Sequence, residues 1–275
     1  MNVVKSMVAT SQGQVLVRRA GRGERHVVLL QILPFSSRLF DATLPLLAMR
    51  GYCATAVDLM GYGGSDRRTA AWLVPDFAAN LHEVLEVLTI TRCALLGGHF
   101  SGLVATHMAI TDPERIVRLV LDGVPVWTAE TRAKVGAGGI GTQAAWTDDG
   151  AAILAQWQAM LAMLRKLNPG LTVNADLAPV MTALFRDWLA ASAEPGVARA
   201  FAAYDMDAAL PNVAQPVLAI AGEHDTQKQS QPRILQLARA CRGHMFEGVH
   251  PLHDFARPAR AADYVDAIAP FLAAA

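Results

Sequence analysis

What most constrains the fold of this chain is a series of short, unbroken apolar runs, each separated from the next by a stretch with helical spacing. Residues 26–33 read HVVLLQIL between Gly21-Arg22-Gly23 and Pro34, and similar runs follow at 53–59, 93–98, 117–121, 216–221 and 244–247. A strand with one wet face alternates apolar and polar residues; a strand covered on both faces need not. Runs of this kind therefore point to a parallel sheet with helices on both sides. The intervening stretches 39–50, 75–88, the one reaching about residue 111, 230–240 and 258–272 supply those helices. Strand–helix alternation implies right-handed crossovers. Residues 3–9 and 14–19, around Ser11-Gln12-Gly13, read as a hairpin at one edge.

The alternation stops after Pro125. Residues 127–200 contain helical patterns at 149–167 and 176–191 and no strand pattern. The expected architecture is a core domain made of residues 1–125 and 205–275, with a helical lid of residues 126–204 over the carboxyl ends of the strands. Trp127, Trp146, Trp157, Trp188, Met160 and Met163 fall in that insertion; most read as its own core, and a subset facing the sheet would make a dry pocket. Residues 136–141 (GAGGIG) follow no strand and lack a terminal Gly-Lys, so they read as a hinge and not as a phosphate loop.

Composition removes several function classes. Twenty-four Lys and Arg balance 24 Asp and Glu, which leaves no basic excess for nucleic acid. An apolar fraction of 53% at zero net charge excludes disorder. Cys53, Cys93 and Cys241 lie far apart without ligand spacing, which argues against disulfides or structural zinc and suits a reducing compartment. The first 13 residues lack the apolar segment of a secretory signal, and no run of 18 uncharged apolar residues occurs. A cytoplasmic protein is expected, with a small molecule as its partner, no nucleic acid and no membrane, and with room for a homodimer.

Five stretches then align with one family. Asp58-Leu59-Met60-Gly61-Tyr62-Gly63-Gly64-Ser65-Asp66 follows the second apolar run; Gly98-His99-Phe100-Ser101-Gly102 lies between a strand and a helix; Asp112-Pro113-Glu114-Arg115 leads into the next strand; Gly222-Glu223-His224-Asp225 and Gly248-Val249-His250-Pro251 close the last two strands. In order and spacing these resemble the α/β-hydrolase fold family over nearly the whole chain, which implies a mostly parallel central sheet flanked by helices, with a helical lid. The second motif sits where that family places its nucleophile elbow.

Within the elbow, glycines at −2 and +2 relieve crowding around a strained residue. Gly98 and Gly102 bracket Phe100, so this reading puts a phenylalanine at the tip, and a phenyl ring cannot attack a carbonyl. Ser101 is left two roles: its backbone N–H as one arm of an oxyanion hole, or its hydroxyl as nucleophile after a register shift. The resemblance places the other arm after Gln31-Ile32, at Leu33. Gln31 reads equally as a donor to a polar substrate and as a satisfied buried amide. With Phe100, Gln31, Ile32 and Leu33, Trp127 of the lid completes the expected substrate contacts.

By the same resemblance Asp225 is the acid and His250 the histidine of a proton-transfer pair, with Asp122 as an alternative partner for His250. His253 and Asp254 read as a solvated loop pair, His224 as a loop residue and His99 as structural. The expectation is a cofactor-free enzyme using His250 and Asp225 on a small hydrophobic carbonyl substrate without a covalent serine intermediate: a hydrolase, lyase, isomerase, cyclase or oxygenase. A non-catalytic ligand-binding relative and a serine esterase using Ser101 are the alternatives.

Overall fold

The structure, a computed structural model, describes residues 2–138, 146–192 and 196–273. Its centre is an eight-stranded sheet in the order β1-β2-β4-β3-β5-β6-β7-β8. The strands are β1 Val4–Thr10, β2 Gly13–Ala20, β3 His26–Leu30, β4 Cys53–Val57, β5 Cys93–Gly98, β6 Ile116–Asp122, β7 Val217–Gly222 and β8 Cys241–Phe246. The two pairings made by β2 are antiparallel and all others parallel. Every residue of β4, β5 and β7 is buried, as their unbroken apolar runs require.

Helices α1 Thr43–Met49, α2 Val74–Val87 and α3 Phe100–Thr111 follow β3, β4 and β5. The first expected strand run, 26–33, is cut to five residues; residues 31–36 become a loop across the sheet's carboxyl edge. The start of α2 has a local cause: the Asp76 carboxylate accepts from the Leu73 N–H, and Pro75 occupies a first-turn position that needs no donor.

Between β6 and β7 the described chain forms five helices: α4 Ala129–Gly138, α5 Ala151–Leu167, α6 Ala178–Ser192, α7 Val197–Ala203 and α8 Met206–Ala209. Part of the expected hinge, residues 139–141, lies outside the described residues. Helices α9 Gln231–Leu237 and α10 Ala261–Ala273 complete the chain.

Two cores cover the sheet. One face packs α2, α3 and α9 around Phe77, Phe100, Leu103 and Ile234; the other packs α1 and α10 around Phe40, Leu44, Tyr264 and Ile268. A third, smaller cluster joins Phe35 of the loop after β3 to Met160, Leu164, Met181 and Leu184 of α5 and α6. Here Asp187, 2% exposed, accepts from the Ser36 N–H at 3.0 Å and the Ser36 hydroxyl at 2.5 Å, tying α6 to that loop. No described helix is long and apolar enough to cross a membrane.

Candidate active site

The bend between β5 and α3 turns on His99, whose φ of 48° and ψ of −119° fall where a non-glycine residue is strained by about 1–3 kcal/mol. The residue at the tip is thus His99. Phe100, assigned there from glycine spacing, is the first residue of α3 and points into the core, fully buried against Phe77 and Phe201 at 5.3 and 4.9 Å between ring centres. The small residues that matter are one position earlier than expected. A Cβ on Gly97 would lie 2.4 Å from the Ser101 carbonyl oxygen, so β5 and α3 meet there only because Gly97 has none.

Ser101 stands at +2 from the tip and its hydroxyl braces the bend from behind. It accepts from the Gly98 N–H at 3.1 Å and lies 2.7 Å from the Gln31 carbonyl and 2.9 Å from the Gly98 carbonyl, with no exposure. Neither role expected of Ser101 is available: its hydroxyl is engaged by backbone, and the amide that follows the tip belongs to Phe100. That N–H opens α3, where no intrahelical acceptor exists for it.

Asp225, in the loop after β7, was expected to hold His250. It holds His99 instead. Its Oδ2 is 3.0 Å from His99 Nε2, while Oδ1 accepts from the Gln227 N–H at 2.7 Å. Gly123, with φ +57°, gives them room; a Cβ there would be 2.3 Å from Asp225 Oδ2 and 3.0 Å from His99 Nε2. Burial alone would depress the His99 imidazole, but the adjacent Asp225 carboxylate, helped by Asp122, holds it above its ordinary value. Burial would likewise raise Asp225, yet the His99 charge and hydrogen bond, then the Gln227 amide, hold its carboxyl below the usual range.

His250 follows β8 and is 2% exposed. Its Nδ1 accepts from the Leu252 N–H at 3.2 Å, and Nε2 lies 3.3 Å from Asp122 Oδ1, close but not aligned for a hydrogen bond. The partner is therefore Asp122, the alternative acid, because Asp225 is already taken by an imidazole long enough to reach it. Asp122 Oδ2 accepts from the Tyr264 hydroxyl at 3.0 Å. His253 and Asp254, expected in solvent, are both 4% exposed. Asp254 pairs with Arg257 and Arg260, and His253 is pushed down to about 3, by burial first and then by the facing imidazoles of His250 and His99. His224 is half-exposed.

His99 opens onto a mainly apolar cavity of about 280 Å³. Leu33 and Trp127 line it, joined by Phe201, Met163, Trp188 and Gln227. The Trp127 indole N–H donates to Gln227 Oε1 at 2.9 Å, so one residue touches both the cavity wall and Asp225. Gln31 and Ile32 lie behind it. Gln31 Oε1 accepts from the Leu59 N–H at 2.6 Å, and Ile32 packs over Gly98. Trp157 belongs to the cluster beneath α5 and α6, and Trp146 is exposed. Sequence reasoning missed His99 and Gln227; the Gly97-x-His99-x-Ser101 spacing carried the first, and nothing marked the second. Among the described residues no group of three or more His, Cys, Asp or Glu is placed to hold a metal ion.

Comparison with known proteins agrees with this architecture. The family profile described as alpha/beta hydrolase fold matches residues 25–231. Over 111 residues the chain is 34% identical to a pimeloyl-[acyl-carrier protein] methyl ester esterase of Aeromonas hydrophila, covering 38% of this chain and 40% of the esterase. The chain thus spans less than half the length of the curated relatives it matches. Among solved structures, a bacterial membrane phospholipase A superposes with a TM-score of 0.79 at 18% identity, over 100% of this chain and 88% of that one. The enol-lactonase of Burkholderia xenovorans LB400 gives 0.74 at 16% identity, over 98% and 100%.

Proposed function

Because this chain belongs to the α/β-hydrolase fold family, and its elbow holds an imidazole, we propose that it is a cofactor-free acid–base enzyme acting on a small apolar carbonyl compound. The observation that carries this is the His99–Asp225 pair at the strained bend, facing an apolar cavity of about 280 Å³. Neutral His99 takes the proton of a water as its oxygen attacks the carbonyl carbon, and the imidazolium returns that proton to the leaving oxygen. Asp225 fixes Nε2, so Nδ1 is the nitrogen presented to substrate. The Phe100 N–H is the donor aimed at the developing oxyanion. Helices α4 to α7 act as the lid, with Trp127, Met163 and Trp188 shielding the reaction from bulk water.

The esterase, phospholipase and lactonase among the similar proteins favour hydrolysis over lyase or isomerase chemistry. No acyl-serine forms on this route, since Ser101 is turned away. We place its action in the cytoplasm, without nucleic acid.

The test is turnover of short-chain p-nitrophenyl esters by the wild type, His99→Ala and Ser101→Ala, together with labelling by a serine-directed fluorophosphonate. His99→Ala should lose about 10²-fold or more in rate, and no serine should label. Labelled serine, or full activity in His99→Ala, overturns the reading. The missing hydroxyl at the bend favours a second reading, ligand binding without turnover, which would show as saturable binding in the cavity with no product from any ester.

A further inference from the structure

A second cavity, of about 350 Å³, draws its wall partly from segments that also line the first. Three segments form its wall, and each also carries a residue of the candidate active site. The loop after β3 gives Leu33 to the first cavity and Ser36, Arg38 and Leu39 to the second. Helix α6 gives Trp188 to the first and Val180, Ala183 and Leu184 to the second. The loop after β8 carries His250 and continues as Pro251 and Leu252 into the second.

Charge distinguishes this cavity from a packing defect. Asp41 on its wall is paired with Arg18 at 3.4 Å, and Asp254 is paired with Arg257 at 2.7 Å and Arg260 at 3.3 Å. Arg38 has no such partner: its Nε is buried without an acceptor, and among the described residues no carboxylate lies within ion-pair distance of its guanidinium. Arg38 is half-buried on the cavity wall, and a planar carboxylate is the group that fits an unpaired guanidinium.

We propose that this cavity is a binding site for a small apolar monocarboxylate, its carboxylate on Arg38 and its carbon chain against Leu39, Val180, Ala183 and Leu184. A monoanion suits the site better than a phosphate dianion because only one cation is unpaired, and Asp41 and Asp254 stand on the same wall. The ligand would touch two of the segments that shape the active-site cavity, the loop after β3 and α6, and the loop that carries His250.

Isothermal titration with octanoate, and with octan-1-ol as its neutral counterpart, tests the assignment on the full chain. Wild type should bind octanoate saturably and octanol about tenfold or more weaker, since the charge-assisted fork is absent for the alcohol. Arg38→Gln should weaken octanoate about tenfold or more, and Ala183→Phe, which fills the cavity and keeps the Arg38 charge, should abolish it. His99→Ala should leave the affinity within about twofold, because it alters only the first cavity. Binding lost in His99→Ala but kept in Arg38→Gln would move the ligand to the first cavity and overturn the proposal. So would equal binding by all the variants, or no saturable binding by folded wild type.

Discussion

Asp225 and His99 stand 126 residues apart in sequence and 3.0 Å apart at Oδ2 and Nε2, so the carboxylate after β7 braces the bend after β5 and leaves the histidine after β8 to another acid. The pair sets the protonation of the tip. Asp225→Asn removes the charge that holds His99 above its ordinary value, and burial, which lowers it, then prevails. The His99 titration followed by NMR should move to lower pH in that variant. Where turnover is measurable, its rising limb should be centred above the ordinary imidazole value of about 6.5 in the wild type and shift down with the titration. An unmoved titration would show that Asp225 does not govern His99.

Gly123 is held at φ +57° with its open side against that pair. Gly123→Ala should destabilise the fold by about 1–3 kcal/mol and disturb the pair in the same step. Denaturant unfolding, read beside the His99 titration, checks both. A variant as stable as wild type, with an unchanged titration, would count against the crowding described.

Ser101→Ala strips the acceptor from the buried Gly98 N–H. An orphaned buried donor costs about 1–3 kcal/mol, so the thermal midpoint should fall by several degrees. Fluorophosphonate labelling should be absent before and after the substitution.

Phe100→Ser separates a core residue from a tip residue. Removing a fully buried ring that packs on Phe77 and Phe201 should cost at least about 3–5 kcal/mol, with no ester hydrolysis gained. Urea unfolding and an ester assay on the soluble fraction read the two outcomes. Acquired esterase activity in this variant would return residue 100 to the tip.

His253 gives folding a pH dependence of definite sign. Its folded value, pushed down to about 3, lies below the unfolded value near 6.5, so between these limits the unfolded chain binds the extra proton. Stability contributed by neutral His253 is complete above about 6.5 and is lost as pH falls toward 3. This one group should contribute a slope of up to about 1.4 kcal/mol per pH unit. His253→Gln should flatten the curve over that window, as urea midpoints from pH 7 to pH 4 would show.

Much of this protein could be read without coordinates, because burial leaves its mark on residue type. Strands such as 53–57 and 93–98 are covered on both faces, so they can carry only apolar runs, and the helices between them carry a single apolar stripe. The loops at 58–66, 98–102, 222–225 and 248–251 were legible for a related reason: sharp turns at a sheet edge need glycine and polar caps at fixed offsets. These patterns are local, and local physics decides them.

The identity of the tip is not local. Gly97 and Gly98 adjoin, as do Ser101 and Gly102, so two registers one residue apart satisfy the same small-residue rule. Only the contact between Gly97 and the Ser101 backbone, made when β5 and α3 close on each other, places the strain at His99 and sends Phe100 into the core. The partnering of carboxylates and imidazoles was open for the same reason. Asp122, Asp225, His99 and His250 come from four separate loops or strand ends, and which two meet depends on how far each side chain reaches across the assembled sheet edge. Chain order holds no record of that distance.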